Sequence, residues 1–144
     1  LAATSQESYV TARGHKLPKK ATLPYVIEDK IETLAKDNEG GSLTKRAVSL
    51  LDSLGILDDV KRARDGKGIR AGKGKSRGRK YRTPKSILFV LSEENNTENA
   101  FRNLSGVDVT TSKNLNTELL APGGDPGRLV VFSKSAVSAL GDRL

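Results

Sequence analysis

The sequence predicts an α/β fold of three layers, α/β/α, around a mainly parallel sheet of about four strands, with one long basic, glycine-rich loop. Three observations carry this expectation. Four short stretches, 23–27, 86–91, 107–111 and 129–132, read as strands. Apolar residues at helical spacing fill the intervals, and strands alternating with helices build right-handed βαβ units whose helices cover both faces of a parallel sheet. Between the first two strands lies residues 61–85, with almost no apolar side chain to bury. A length of 144 residues fits one domain, 1–144, that hides roughly two-thirds of its unfolded surface.

In chain order, Thr4-x-x-Glu7 has the form of a capping box and Gly14 follows Arg13, so a short helix is expected at about 5–13. Arg13, His15, Lys16, Lys19 and Lys20 then form a small basic cluster, readable as a solvated loop or as a nucleic-acid contact. Leu23 to Ile27 suits a buried strand; Ile31, Leu34 and Ala35 follow at helical spacing until Gly40-Gly41. Ser42 or Thr44 caps a clearer helix whose Leu43, Ala47, Leu50, Leu51 and Leu54 form a core stripe, closed by Gly55.

Ile87 to Leu91 is continuously apolar, the pattern of a strand covered on both faces. A helix at about 97–104 places Ala100, Phe101 and Leu104 together and stops at Gly106. Residues 107–111 form a weaker strand whose Asp108 and threonines suit one exposed face. A helical turn near 116–120 breaks at Pro122-Gly123-Gly124; Leu129 to Phe132 is the fourth strand, and Ser133 caps a last helix carrying Ala136, Val137 and Leu140.

Twelve of the 25 Lys and Arg lie in 61–85 against one acid, Asp65, a local balance of +11. The remainder carries 13 basic and 16 acidic residues, or −3, so the net charge of +8 belongs to one segment. Glycines at 66, 68, 72, 74 and 78 punctuate it, and the segment reads as a loop. Repelling charges on such a backbone call for a polyanion, whose counterions are released on binding.

Other classes fare poorly. There is no Cys, which removes disulfides, thiolate metal sites and cysteine nucleophiles and fits a reducing compartment. No apolar run approaches the roughly 20 residues of a membrane span, and no signal-peptide pattern opens the chain, so a soluble intracellular protein is expected. The absence of Met and the helix-like start at Leu1-Ala2-Ala3 suggest the C-terminal part of a longer chain. Gly68 through Gly74-Lys75-Ser76 approximates a phosphate loop, but five residues separate the glycines where four are required, and a strand follows instead of a helix. A phosphoryl-transfer enzyme is therefore disfavoured. His15 is the sole histidine, and its loop position favours exposure or a phosphate contact over base catalysis. The pairs Glu28-Asp29, Asp58-Asp59 and Glu93-Glu94 sit near expected element ends, where carboxylates cap and solubilise.

RNA binding fits the basic segment. Glycine allows close backbone approach, Arg offers a fork for phosphate oxygens and Lys adds compact charge. Only Tyr81 is aromatic there, which favours the backbone and shape of folded RNA over reading of unpaired bases.

Specific strings then become informative: 69–75 (IRAGKGK), 77–81 (RGRKY), Ala12-Arg13-Gly14-His15, Leu23-Pro24 with Val26, Phe101-Arg102-Asn103-Leu104, 120–124 (LAPGG), and Gly127-Arg128-Leu129 with Ser135-Ala136. In this order they closely resemble the L-four family of large-subunit ribosomal proteins in its archaeal and eukaryotic form. The resemblance spans nearly the whole chain. It implies a three-layer α/β domain resting on large-subunit rRNA beside neighbouring ribosomal proteins, in the cytoplasm, with no enzymatic activity, cofactor, membrane or small-molecule substrate. It also implies a preceding portion with a tunnel-lining loop, which matches no position here. The resemblance further implies a more continuous helix where Asp37 to Gly41 stands in this sequence.

The expected RNA contacts are Arg62, Arg64, Lys67, Arg70, Lys73, Lys75, Arg77, Arg79, Lys80, Tyr81, Arg82 and Lys85, with Gly72, Gly74 and Gly78 permitting close approach. Arg13, His15 and Lys16 form a second set, and Arg102 with Asn103 a third. The alternative is an extraribosomal regulator that binds its own messenger through the same surface.

Overall fold

Ile87, Leu88, Phe89, Val90 and Leu91 lie at the centre of the molecule, each essentially without solvent contact. The computed structural model describes residues 1–19, 21–33, 42–93 and 97–143. In chain order its elements are α1 (Glu7–Ala12), β1 (Tyr25–Ile27), α2 (Lys30–Thr33), α3 (Leu43–Ser53), α4 (Leu57–Asp65), β2 (Gly68–Ile69), β3 (Tyr81–Arg82) and β4 (Leu88–Leu91), then α5 (Glu98–Arg102), β5 (Asp108–Thr111), α6 (Thr117–Leu120), β6 (Val130–Ser133) and α7 (Lys134–Gly141). The main sheet has the order β1-β6-β4-β5 and every pairing is parallel.

Strand alternation divides the core into two halves. Ile87, Phe89, Leu91, Leu129 and Val131 meet α1, α3, α4 and α5 through Val10, Ala47, Leu51, Val60 and Phe101. Leu88, Val90, Val130 and Phe132 meet α7 through Ala136 and Leu140 on the other face. This is the expected three-layer α/β/α architecture. Burying each large apolar side chain contributes roughly 1.5–3 kcal/mol, and the tilted rings of Phe89 and Phe101, 4.3 Å apart, bind α5 to the sheet.

Helix ends follow their expected capping residues at α3 and α7. Ser42 accepts from the Lys45 amide to start α3, and Gly55 at φ +70° ends it. Ser133 accepts from Ala136 N–H at the start of α7. The capping box at Thr4 does not form. Thr4 lies in a 3₁₀ turn where its hydroxyl donates to the Leu1 carbonyl at 2.6 Å, and Gln6 precedes α1 instead. Two strand expectations also change. β1 is an edge strand with Val26 54% exposed, because only β6 flanks it. Thr110 and Thr111 of β5 are buried rather than solvated. The expected helical residues Leu34 and Ala35 and the interruption at 37–41 lie outside the described residues.

The basic segment is not a featureless loop. Its first five residues complete α4, whose Val60 and Ala63 are buried against the core, with Asp58 and Asp59 in the first turn and Arg62 and Arg64 in the last. That charge order suits the helix dipole. The rest is an antiparallel hairpin in which Gly68 pairs with Arg82 and Ile69 with Tyr81. Arg70 N–H donates to the Lys80 carbonyl at 2.9 Å, extending the ladder by one bond. Gly72 at φ +83° and Gly78 at φ +77° flank a 3₁₀ turn, Lys73–Ser76, and let the chain reverse. Backbone pairing and turn geometry replaced the apolar face that the sequence lacks.

Gly106 joins this region to the sheet. It has φ +75°, its carbonyl accepts from Ser86 N–H at 2.8 Å, and a Cβ there would sit 2.3 Å from the Pro84 carbonyl oxygen. Gly106→Ala is therefore expected to destabilise the protein by about 2–3 kcal/mol. Gly74→Ala, which would meet nothing within 4 Å, should change stability by less than about 0.5 kcal/mol. Urea denaturation of the two variants beside wild type checks both values.

Candidate nucleic-acid interface

The hairpin concentrates charge without neutralising it. Lys67, Arg70, Lys73, Lys75, Arg77, Arg79, Lys80 and Arg82 are all exposed, and none forms an ion pair with a described acid. Arg70 Nε donates to the Tyr81 carbonyl at 3.2 Å, which holds its guanidinium along the ribbon. Arg77 and Arg79 amides both donate to the Gly74 carbonyl, so the tip is folded by backbone bonds and the side chains point to solvent. Gly72, Gly74 and Gly78 have no heavy atom within 4 Å of a would-be Cβ, leaving their backbone open to close approach. The near phosphate-loop string at 68–76 thus belongs to a hairpin and opens no α-helix.

Both ends of the hairpin are fixed at one buried carboxylate. Asp59 Oδ1 accepts from Arg62 Nε at 2.8 Å and from Lys16 N–H at 3.0 Å; Oδ2 accepts from Ser86 Oγ at 2.6 Å and lies 2.9 Å from His15 Nδ1. Arg62 Nη2 also donates to the Lys85 carbonyl at 3.0 Å. Entry at Arg62 and exit at Lys85–Ser86 therefore share Asp59. Leu129 N–H reaches His15 Nε2 at 3.4 Å, so the two ring nitrogens face Leu129 and Asp59 from opposite sides of the ring. Burial alone would raise the Asp59 pKa, but hydrogen bonds from His15, Arg62 and Ser86 and the nearby positive charge outweigh it and hold the carboxyl well below its ordinary value.

A second polar centre supports the exit strand. Arg128 is fully buried and donates to Ser86 O at 2.9 Å, Leu119 O at 3.0 Å and Asp108 Oδ2 at 2.6 Å. Lys85 Nζ lies 2.8 Å from the same Asp108 oxygen. Burial pushes Asp108 up while Lys85 and Arg128 bring it below its ordinary value; burial also draws Arg128 down despite Asp108, although a guanidinium remains charged. Each charge is satisfied, as an interior position requires.

The structure thus separates the candidate residues. The hairpin gathers twelve of them, Lys67 to Arg82 including Tyr81 and the three glycines. Arg64 is exposed at the end of α4, 3.7 Å from Asp65. Arg62 and Lys85 stand at the base, engaged by Asp59 and Asp108. His15 is buried, which corrects the expectation of an exposed ring, because its two nitrogens serve Asp59 and Leu129. Arg13 spans to the carbonyls of Asp125 and Pro122, whereas the Lys16 side chain is exposed. Arg102 pairs with Glu98 at 2.9 Å, beside exposed Asn103. No group of three His, Asp or Glu among the described residues could hold a metal ion.

Sequence reasoning missed the structural roles of Asp59, Asp108 and Arg128. The readable signal was a lone charge against an apolar run: Arg128 immediately precedes the strand Leu129 to Phe132, and Asp108 lies between Val107 and Val109. Removing the Asp59 charge leaves Arg62 without its carboxylate, so Asp59→Asn is expected to cost about 3–5 kcal/mol. Because the folded carboxyl is depressed below its ordinary 3.8, its stabilisation is present above that value and is lost as pH falls further. Urea denaturation between about pH 7 and pH 2 should show a steeper acid decline in wild type than in Asp59→Asn.

Comparison with known proteins agrees with the strings noted above. The chain is 47% identical over 143 residues to "Large ribosomal subunit protein uL4" of Haloquadratum walsbyi, covering 99% of this chain and 54% of that protein. Its identity to the protein of the same name from Methanococcoides burtonii is 49% over 138 residues, 96% of this chain and 51% of the relative. For the Methanosphaera stadtmanae protein it is 44%, with 99% and 52% covered. The chain spans about half the length of these relatives. A sequence model described as the ribosomal protein L4/L1 family matches residues 1–143, and by that match the chain belongs to the ribosomal protein L4/L1 family.

Proposed function

We propose that this chain serves as a structural, non-enzymatic part of the large ribosomal subunit, binding large-subunit rRNA and contributing to subunit assembly and translation. Its setting is a cytoplasmic ribonucleoprotein particle, where neighbouring large-subunit proteins are further partners. The single α/β body is the platform and residues 67–82 are the principal RNA contact. The observation that carries this reading is the set of eight exposed cations, unpaired with any described acid, on one hairpin whose two ends converge on Asp59. Such a ribbon presents donors at several heights, which suits the phosphates of a folded RNA. Lys16 and Arg102 lie on other parts of the surface and add to the contact. Family membership supports the same reading, as does the name borne by the relatives.

A salt titration of binding to large-subunit rRNA tests it. If about six phosphates are neutralised, log affinity falls with log salt at a slope of roughly −4 to −5. Replacing both Arg77 and Arg79 by Ala should flatten that slope by about one to two units. An unchanged slope in the double variant would move the contact away from the hairpin.

A further inference from the structure

The hairpin carries one feature that phosphate binding does not use. Ile69 and Tyr81 are directly opposite each other across the ladder, so their side chains share a face. Both are exposed, Ile69 at 64% and Tyr81 at 50%. An isolated apolar pair at the middle of a strongly basic ribbon costs hydration unless a partner covers it. The surrounding charge defines that partner. Lys67 and Lys80 hold their ammonium groups 4.7 and 5.6 Å from the Tyr81 ring centroid, while Arg82 lies on β3 and Arg70 directly follows β2. Exposed cation–π contacts are weak, so these lysines can exchange the ring for a phosphate.

We propose that the Ile69–Tyr81 face seats one unpaired nucleobase of the bound RNA, with Tyr81 stacking on the base, Ile69 packing against its edge, and Lys67 and Lys80 engaging the flanking phosphates. The proposal rests on the RNA-binding reading above and adds a local preference for a bulge or loop over a continuous helix. Stacking tolerates any base because each has a π face, so the preference is for an unstacked base, not for a sequence. The same pair also closes the hairpin, and cross-strand contacts do stabilise such ribbons. That role needs only an apolar side chain at position 81, whereas stacking needs a ring.

The test uses an RNA hairpin with a single bulged 2-aminopurine and the same RNA with an abasic bulge, each titrated with the whole protein. The bulged base should bind about tenfold more tightly than the abasic form, and its fluorescence should change on binding. Tyr81→Phe should keep both properties. Tyr81→Leu should bring the two RNAs within about twofold of each other while leaving the salt slope unaltered. Equal affinities in wild type, or a preference that survives Tyr81→Leu, would overturn the proposal. So would a wild-type dimer in sedimentation that Tyr81→Leu abolishes, because the face would then belong to a second copy. Failure to bind either RNA, together with failure to bind rRNA, would remove the RNA reading itself. Normal rRNA binding with equal bulged and abasic affinities would remove only the base seat.

Discussion

The Asp59 carboxylate is the point on which the arrangement depends. It is buried with hydrogen bonds from His15, Lys16, Arg62 and Ser86, which come from the segment after α1, from α4 and from the approach to β4, two residues ahead of it. A desolvated carboxylate persists only when such partners replace water. The requirement works in both directions: the charge demands these donors, and the donors can meet it only if three distant parts of the chain converge. Because Arg62 also holds the Lys85 carbonyl, the convergence includes both ends of the basic ribbon.

That convergence explains how a segment with little core of its own projects from a folded body. A lone two-stranded hairpin is marginal in water, and like charges along its surface weaken it further. Here the sequence separation between its ends is absorbed by the body, where α4 packs through Val60 and Ala63 and β4 lies fully buried. Arg128 and Asp108 extend the support beneath Ser86 and Lys85. Fixing the base limits the conformational freedom of the hairpin, and the charges without a described acid lie at its outer end. The protein's charge is thus divided by role. Arg62, Lys85 and Arg128 hold the fold together, while residues 67–82 face outward.

Much of the fold was legible because its strongest signals are local. The run Ile87 to Leu91 announced a doubly covered strand, and the Leu43 to Leu54 stripe announced α3. The secondary structure inside the basic segment was harder. In α4 the apolar positions Val60 and Ala63 are small or few among charges, and the hairpin is held by backbone bonds that leave no hydrophobic period. Charge density identified the candidate surface, but it could not distinguish Arg62 from Arg77, since both read simply as cations in sequence. Burial distinguishes them. His15 shows the same limit: its loop position suggested exposure, and only the meeting of Asp59 with Leu129 encloses the ring. Long-range polar convergence leaves no periodic trace in sequence.

The central claim is that outward cations of one anchored hairpin make the main RNA contact. Quantitative lysine labelling of the free and rRNA-bound protein addresses it directly. The account predicts strong protection of Lys67, Lys73, Lys75 and Lys80, with the exposed Lys45, Lys113 and Lys134 labelled equally in both states. Protection confined to Lys45, Lys113 or Lys134, with the four hairpin lysines still reactive, would contradict it.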